Sequence, residues 1–142
     1  MKLLFTLIAT LAGASALAQM TPVGTWRSID DKTGEAKAEI VIADNGGVLT
    51  GKISKLLRKE AKQDAVCDEC KDDRKNKPML GLEILRGVTK ANGDLWAGGK
   101  ILDAETGSAY NVQLMPAEGG AKLNVRGNVL FISRTQVWQR VQ

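Results

Sequence analysis

Two cysteines stand three residues apart in Cys67-Asp68-Glu69-Cys70, and the chain has no others. Such a pair can form a disulfide, act as a redox dithiol or supply two ligands to a metal. Redox work needs the first thiol at a helix N-terminus with a depressed pKa. Here Asp68, Glu69, Asp72 and Asp73 crowd the pair and disfavour a thiolate. Structural zinc needs four ligands, and a chain without histidine leaves only carboxylates to complete the set. The same acidic residues are the right type for calcium, but they lack the spacing and central glycine of a calcium loop. Lys71 and Arg74 offset their charge. A solvated charged loop is expected, with no metal site.

The missing histidine reaches further. It removes the commonest general base and metal ligand, and with them Ser-His-Asp and Cys-His catalysis. The chain is therefore expected not to be an enzyme and to need no cofactor. A thiol oxidoreductase working through Cys67 and Cys70 is the only enzymatic reading left.

The compartment bears on the cysteines. Met1-Lys2 opens the chain, residues 3–12 are uncharged and mostly apolar, and Ala16-Leu17-Ala18 offers a small-x-small cleavage pattern. That is a secretory signal peptide over residues 1–18. Its apolar run is about half of a membrane span, and no later stretch approaches that length. Gln19, not cysteine, follows the cut, which argues against a lipid anchor. Export to the periplasm or beyond is expected, and there a cysteine pair defaults to a disulfide. So small a ring contributes only about 2 kcal/mol of chain entropy.

Residues 19–142 suit one domain. With Lys2 gone they hold 19 basic and 16 acidic residues. The charges between Lys52 and Lys77 are mixed in sign, unlike the one-signed patch of a nucleic-acid binder.

Segments with period-two or β-branched character fall at residues 23–28, 36–43, 48–57, 82–89, 94–102, 108–115, 121–127 and 131–141. Turn residues separate them, including Asp-x-x-Thr-Gly at Asp30 and again at Asp103. No long 3.6-residue pattern occurs, so helix should be scarce. Eight strands joined mostly by short turns make an antiparallel up-and-down meander, and closure removes its exposed edges. The predicted fold is all-β, a single eight-stranded barrel. One long loop, residues 58–80, joins strands three and four and should lie over one barrel end.

Tyr110, Val112 and Leu114 alternate with polar residues, as do Leu123 and Val125, so these sets should face the interior. Gly98-Gly99, beside Trp96, marks a bulge or bend. Trp26, in Gly24-Thr25-Trp26-Arg27, is expected to plug one barrel end, with Arg134 or Arg140 from the last strand stacked on its ring.

With these pieces placed, the chain resembles a widespread family of exported bacterial proteins of unknown function with a lipocalin-like barrel. The resemblance runs over nearly all of residues 22–141. It rests on Val23-Gly24-Thr25-Trp26, on Cys67-Asp68-x-Cys70 with Pro78 and Gly81-Leu82, and on Trp96-x-Gly98-Gly99-Lys100-Ile101-x-Asp103. Tyr110, Leu123-x-Val125-Arg126-Gly127 and Arg134-Thr135-Gln136-x-Trp138-x-Arg140 complete it. It implies a fold and a compartment but no activity. One departure stands out: after Gly127 the family's usual Tyr-Ile-Gly-type segment is replaced by Asn128-Val129-Leu130-Phe131-Ile132-Ser133.

The functional expectation is an exported binding protein that holds a small apolar or amphipathic ligand against Trp96, Tyr110, Val112, Leu114 and Val125. The alternative is a structural or interaction module of the cell envelope, with a side-chain-filled barrel and a protein partner. An aromatic content of 4% supplies few large side chains to fill an interior and favours the first.

Overall fold

Alternation decides the faces of the strands. Along Ser108–Ala117, Val112 and Leu114 are buried while Asn111, Gln113 and Met115 are exposed. Along Lys122–Val129, Leu123 and Val125 turn inward and Arg126 outward. Repeated round the molecule, this pattern gives one continuous apolar interior.

The computed structural model describes residues 20–142. The expected signal peptide, residues 1–18, lies outside the described residues. The strands are β1 (Gly24–Ile29), β2 (Ala36–Asn45), β3 (Val48–Leu56), β4 (Glu83–Asn92), β5 (Leu95–Asp103), β6 (Ser108–Ala117), β7 (Lys122–Val129) and β8 (Ile132–Arg140). Each is antiparallel to its neighbour, and β8 returns to β1, so the sheet is a closed eight-stranded up-and-down barrel. The one helical element described is a single 3₁₀ turn, Glu118–Gly120. Among the described residues no helix is long and apolar enough to cross a membrane.

Closure at the seam is uneven. Trp26 pairs with Arg140 and Arg27 with Gln139, and Thr25 exchanges backbone bonds with Val141 and Gln142. Beyond Arg27 the ladder between β1 and β8 stops. Nearer the other end of the barrel the two sides are joined by the Arg134 guanidinium, whose Nε donates to Asp31 Oδ2 at 2.7 Å.

The paired end is shut. Trp26 is completely buried, and its indole Nε1 donates to the Pro22 carbonyl at 2.7 Å. The Arg140 guanidinium lies over the ring, 4.2 Å from its centroid. Arg140 also donates to the carbonyls of Gly120 (2.5 Å), Val23 (2.9 Å) and Thr21 (2.7 Å). Gly24 is required beside it: at φ +138°, a Cβ there would lie 2.5 Å from Arg140 Nη1 and 2.7 Å from the Gln142 carbonyl oxygen.

Arg134 corrects the sequence reading, which grouped it with this plug. It shares the inward face of β8 with Arg140 but stands six residues away, about 20 Å along a strand. It therefore belongs to the opposite end.

Two glycines bend β5. The register passes from Trp96↔Leu114 to Gly99↔Val112, with an extra residue on β5. Gly98 has φ +84°, and a Cβ on Gly99 would lie 2.2 Å from the Arg86 carbonyl oxygen. The bulge is built on that close backbone approach.

The long connection between β3 and β4 is ordered by its own bonds. Cys67 and Cys70 form a disulfide, and both residues are fully buried. Cys67 N–H donates to the Lys77 carbonyl and Asn76 N–H to that of Cys67, both at 2.8 Å, while Val66 pairs with Pro78. Asp72 and Asp73 are committed to arginines. Arg74 Nη2 reaches Asp72 at 2.6 Å, and Arg86 makes a two-pronged contact with Asp73 at 2.9 Å. These guanidiniums hold both carboxyls below their usual range. The loop then packs on the β5–β6 turn so closely that a Cβ on Gly107 would lie 1.9 Å from the Glu69 carbonyl oxygen.

The bridge closes a four-residue ring, so Cys67→Ser with Cys70→Ser is expected to cost about 2 kcal/mol or less and leave the barrel folded. Chemical denaturation of wild type and double variant measures it. Complete unfolding of the variant would show that the bridge holds more than its own loop.

Candidate functional site

The barrel is filled at one end and hollow at the other. Towards Trp26, the side chains of Ile42, Leu49, Val88, Val112, Leu114 and Leu123 are buried in a packed core. Towards the opposite end lies a cavity of about 560 Å³. Ile40, Ile53, Ile84, Ile101 and Val125 form its walls, and Trp138 also lines it.

Strand direction explains which expected residues reach it. β6 enters at the open end, so Tyr110 comes first and lines the cavity; Val125 on β7, the partner of Leu114, lines it too. Val112 and Leu114 follow deeper and are absorbed in the packed half. Trp96 lies near the start of β5, which runs from the shut end, and packs partly buried against the core. Trp96, Val112 and Leu114 are thus interior residues that do not border the cavity.

Ile40, Ile53, Ile84, Ile101 and Trp138 were not singled out from the sequence. The alternation Ala38-x-Ile40-x-Ile42 in β2 carried the signal for the first. The depth at which packing stops carried none.

Four connections ring the mouth: residues 30–35 between β1 and β2, the long loop, residues 104–107 between β5 and β6, and the tip at Leu130-Phe131. The two Asp-x-x-Thr-Gly turns are built alike. Asp30 Oδ1 accepts the amides of Lys32 and Thr33, Asp103 Oδ1 accepts that of Glu105, and each aspartate carbonyl accepts its glycine's N–H. Arg58, from the long loop, ties them together. Its guanidinium bonds Asp30 (2.9 Å) and Glu35 (3.1 Å) and lies 3.4 Å from Glu105. From the same loop Ala61, Lys62, Ala65 and Met79 border the cavity, so the loop does lie over this end. Lys62 has no ion-pair partner among the described residues.

The Arg58 guanidinium holds the Asp30 carboxyl well below the usual range, and Arg134 lowers that of Asp31. A depressed carboxylate stabilises the fold above its unfolded pKa near 4 and loses that contribution as pH falls. With no histidine to titrate between pH 5 and 8, melting temperature should be flat there and fall below about pH 4, where the unfolded chain takes up protons that the clamped carboxyls resist. A melting series across pH measures this; a fall already evident at pH 6 would contradict it.

Residues 24–140 match the model of a family described as an uncharacterised protein conserved in bacteria, DUF2147. The chain belongs to this family. Among solved structures, this DUF2147 member is similar to the protein HP1028 from the human pathogen Helicobacter pylori, described as belonging to the lipocalin family. The identity is 14%, the TM-score is 0.72, and the match covers 84% of this chain and 82% of that one. At that identity the likeness is one of fold, and the barrel is lipocalin-like. A comparison with curated protein sequences found no match.

Proposed function

We propose that this DUF2147 protein is an exported binding protein whose barrel holds one small amphipathic molecule. The observation that carries the reading is the hollow half-barrel: about 560 Å³ with aliphatic walls, within the range of roughly 300–1,000 Å³ typical of small-molecule sites. Water gains little in such a space, whereas an apolar chain replaces hydration with contact. The mouth supplies cations: among the described residues Lys62 has no ion-pair partner, and Arg58 and Arg134 are engaged by exchangeable carboxylates. An acidic or otherwise anionic head outward and an apolar body inward fits that division. The disulfide supports an oxidising compartment. Its burial supports a structural bridge over a redox dithiol, which must be accessible to its substrates.

Native mass spectrometry of the protein purified from its own host tests the reading, with one copurifying small molecule per chain expected. A ligand-free barrel that also fails to take up a fluorescent fatty acid would favour the structural envelope module instead. In the same preparation, N-terminal sequencing is expected to begin at Gln19, and an intact Met1 would remove export.

A further inference from the structure

The segment Val129-Leu130-Phe131-Ile132 forms the β7–β8 tip, and its side chains stand in water. Leu130 is 90% exposed, Phe131 104% and Ile132 71%, and Val129 is also exposed. Leu130 has φ +52°, a left-handed conformation that turns usually give to glycine or asparagine. Leucine is held there against both hydration and backbone preference. Neither Leu130 nor Phe131 joins the core, so barrel packing does not account for them.

We propose that this hairpin inserts into the interfacial layer of an anionic lipid bilayer and docks the barrel with its mouth towards the membrane. The docking stands independently of whether the cavity carries a ligand.

Three observations favour lipid over a protein partner. Leu130 and Phe131 form the turn beyond the last strand pair, Val129 with Ile132, and at 90% and 104% exposure neither side of the turn is covered by the barrel. A flat protein surface covers one side, whereas lipid surrounds both. The wall behind the tip carries no carboxylate: from Ser108 to Arg140 the sole acidic residue is Glu118, at the shut end and paired with Lys122, and Arg126 is the outward-facing cation near the tip. Arg126 stands with Leu130 and Phe131 around a shallow surface depression of about 220 Å³, where an anionic headgroup would meet its guanidinium as the tip enters. Finally, Ile132 belongs both to the exposed tip and to the cavity lining. Ile132 thus links the apolar tip to the lining of the barrel cavity.

Vesicle flotation tests the docking. It uses residues 19–142, which hold every strand and the core, because the apolar run in residues 1–18 would bind lipid by itself. The protein should float with phosphatidylcholine vesicles containing phosphatidylglycerol, less so at high salt, and weakly with phosphatidylcholine alone. Leu130→Asn with Phe131→Ser should weaken binding at least about tenfold, from the lost apolar burial alone. Its melting temperature should hold, since asparagine accepts the positive φ. Arg126→Gln should reduce binding to the anionic vesicles only. The proposal is overturned if wild type does not float, or if the double variant floats equally well. It is also overturned if the tip instead drives concentration-dependent self-association that the double variant abolishes, making it an interface between copies. Fatty-acid uptake by the double variant, measured without vesicles, reports on the cavity separately.

Discussion

Trp26→Ala is expected to destabilise the barrel by about 3–5 kcal/mol, the usual loss for deleting a buried large aromatic. The indole is wholly buried, its N–H is bonded to Pro22, and its ring carries Arg140. Truncation removes all three and leaves a void where the β1–β8 seam is paired. A domain of this size has about 5–15 kcal/mol in total, so the variant should melt far below wild type. Arg140→Met should cost less, about 1–3 kcal/mol, because the indole stays packed and the half-buried Thr21 and Val23 carbonyls can take up water. Chemical denaturation of both variants gives the ranking. If Trp26→Ala melts like wild type while losing a bound molecule, the indole belongs to a binding site and not to a closed floor.

The second large effect is on binding. Val125 lines the cavity wall, so Val125→Phe and Val125→Trp extend a side chain into open space. Fatty-acid affinity should fall in that order, by at least about tenfold for tryptophan, as the apolar contact area available to the ligand shrinks. Stability should change little, since nothing packed is displaced. In a filled barrel the same insertions would force neighbours off their rotamers and cost about 1–3 kcal/mol. Isothermal titration and thermal melts on one preparation separate the cases. A large drop in melting temperature with affinity unchanged would mean that the space does not hold the ligand.

The strands were legible because alternation and turn chemistry are local. The residues separating strands predicted from sequence are those that cap the observed turns: Asp44 accepts the Gly47 amide at 2.6 Å, and Asp30 and Asp103 close theirs in the same way. Trp26 and Arg140 could be paired because closure brings the two ends of a meander together. Depth along the barrel was not legible. Val112 and Tyr110 share a face and a strand, yet one is sealed in packing and the other borders the cavity. That division depends on where side chains from seven other strands run out. Arg134 was misplaced for the same reason: its face was readable, its height was not. The mouth clamp needs Arg58 to meet Asp30 and Glu35 from one turn and Glu105 from another, a convergence that no spacing along the chain announces.

The seam gives the wall a preferred line of parting. Everywhere else neighbouring strands follow one another along the chain and share longer ladders, but β1 and β8 are joined by short backbone pairing at the plugged end and by one ion pair towards the mouth. Their meeting closes the longest loop in the molecule, so its chain entropy opposes it most in assembly. In the finished protein the upper seam can yield by exchanging the Arg134–Asp31 contact for water, while any other line must break main-chain bonds. The aperture is therefore adjustable on one side and fixed on the others, like a collar with a single split. A cargo wider than the resting mouth would be admitted edgewise, between β1 and β8, with the plug at the far end as the hinge.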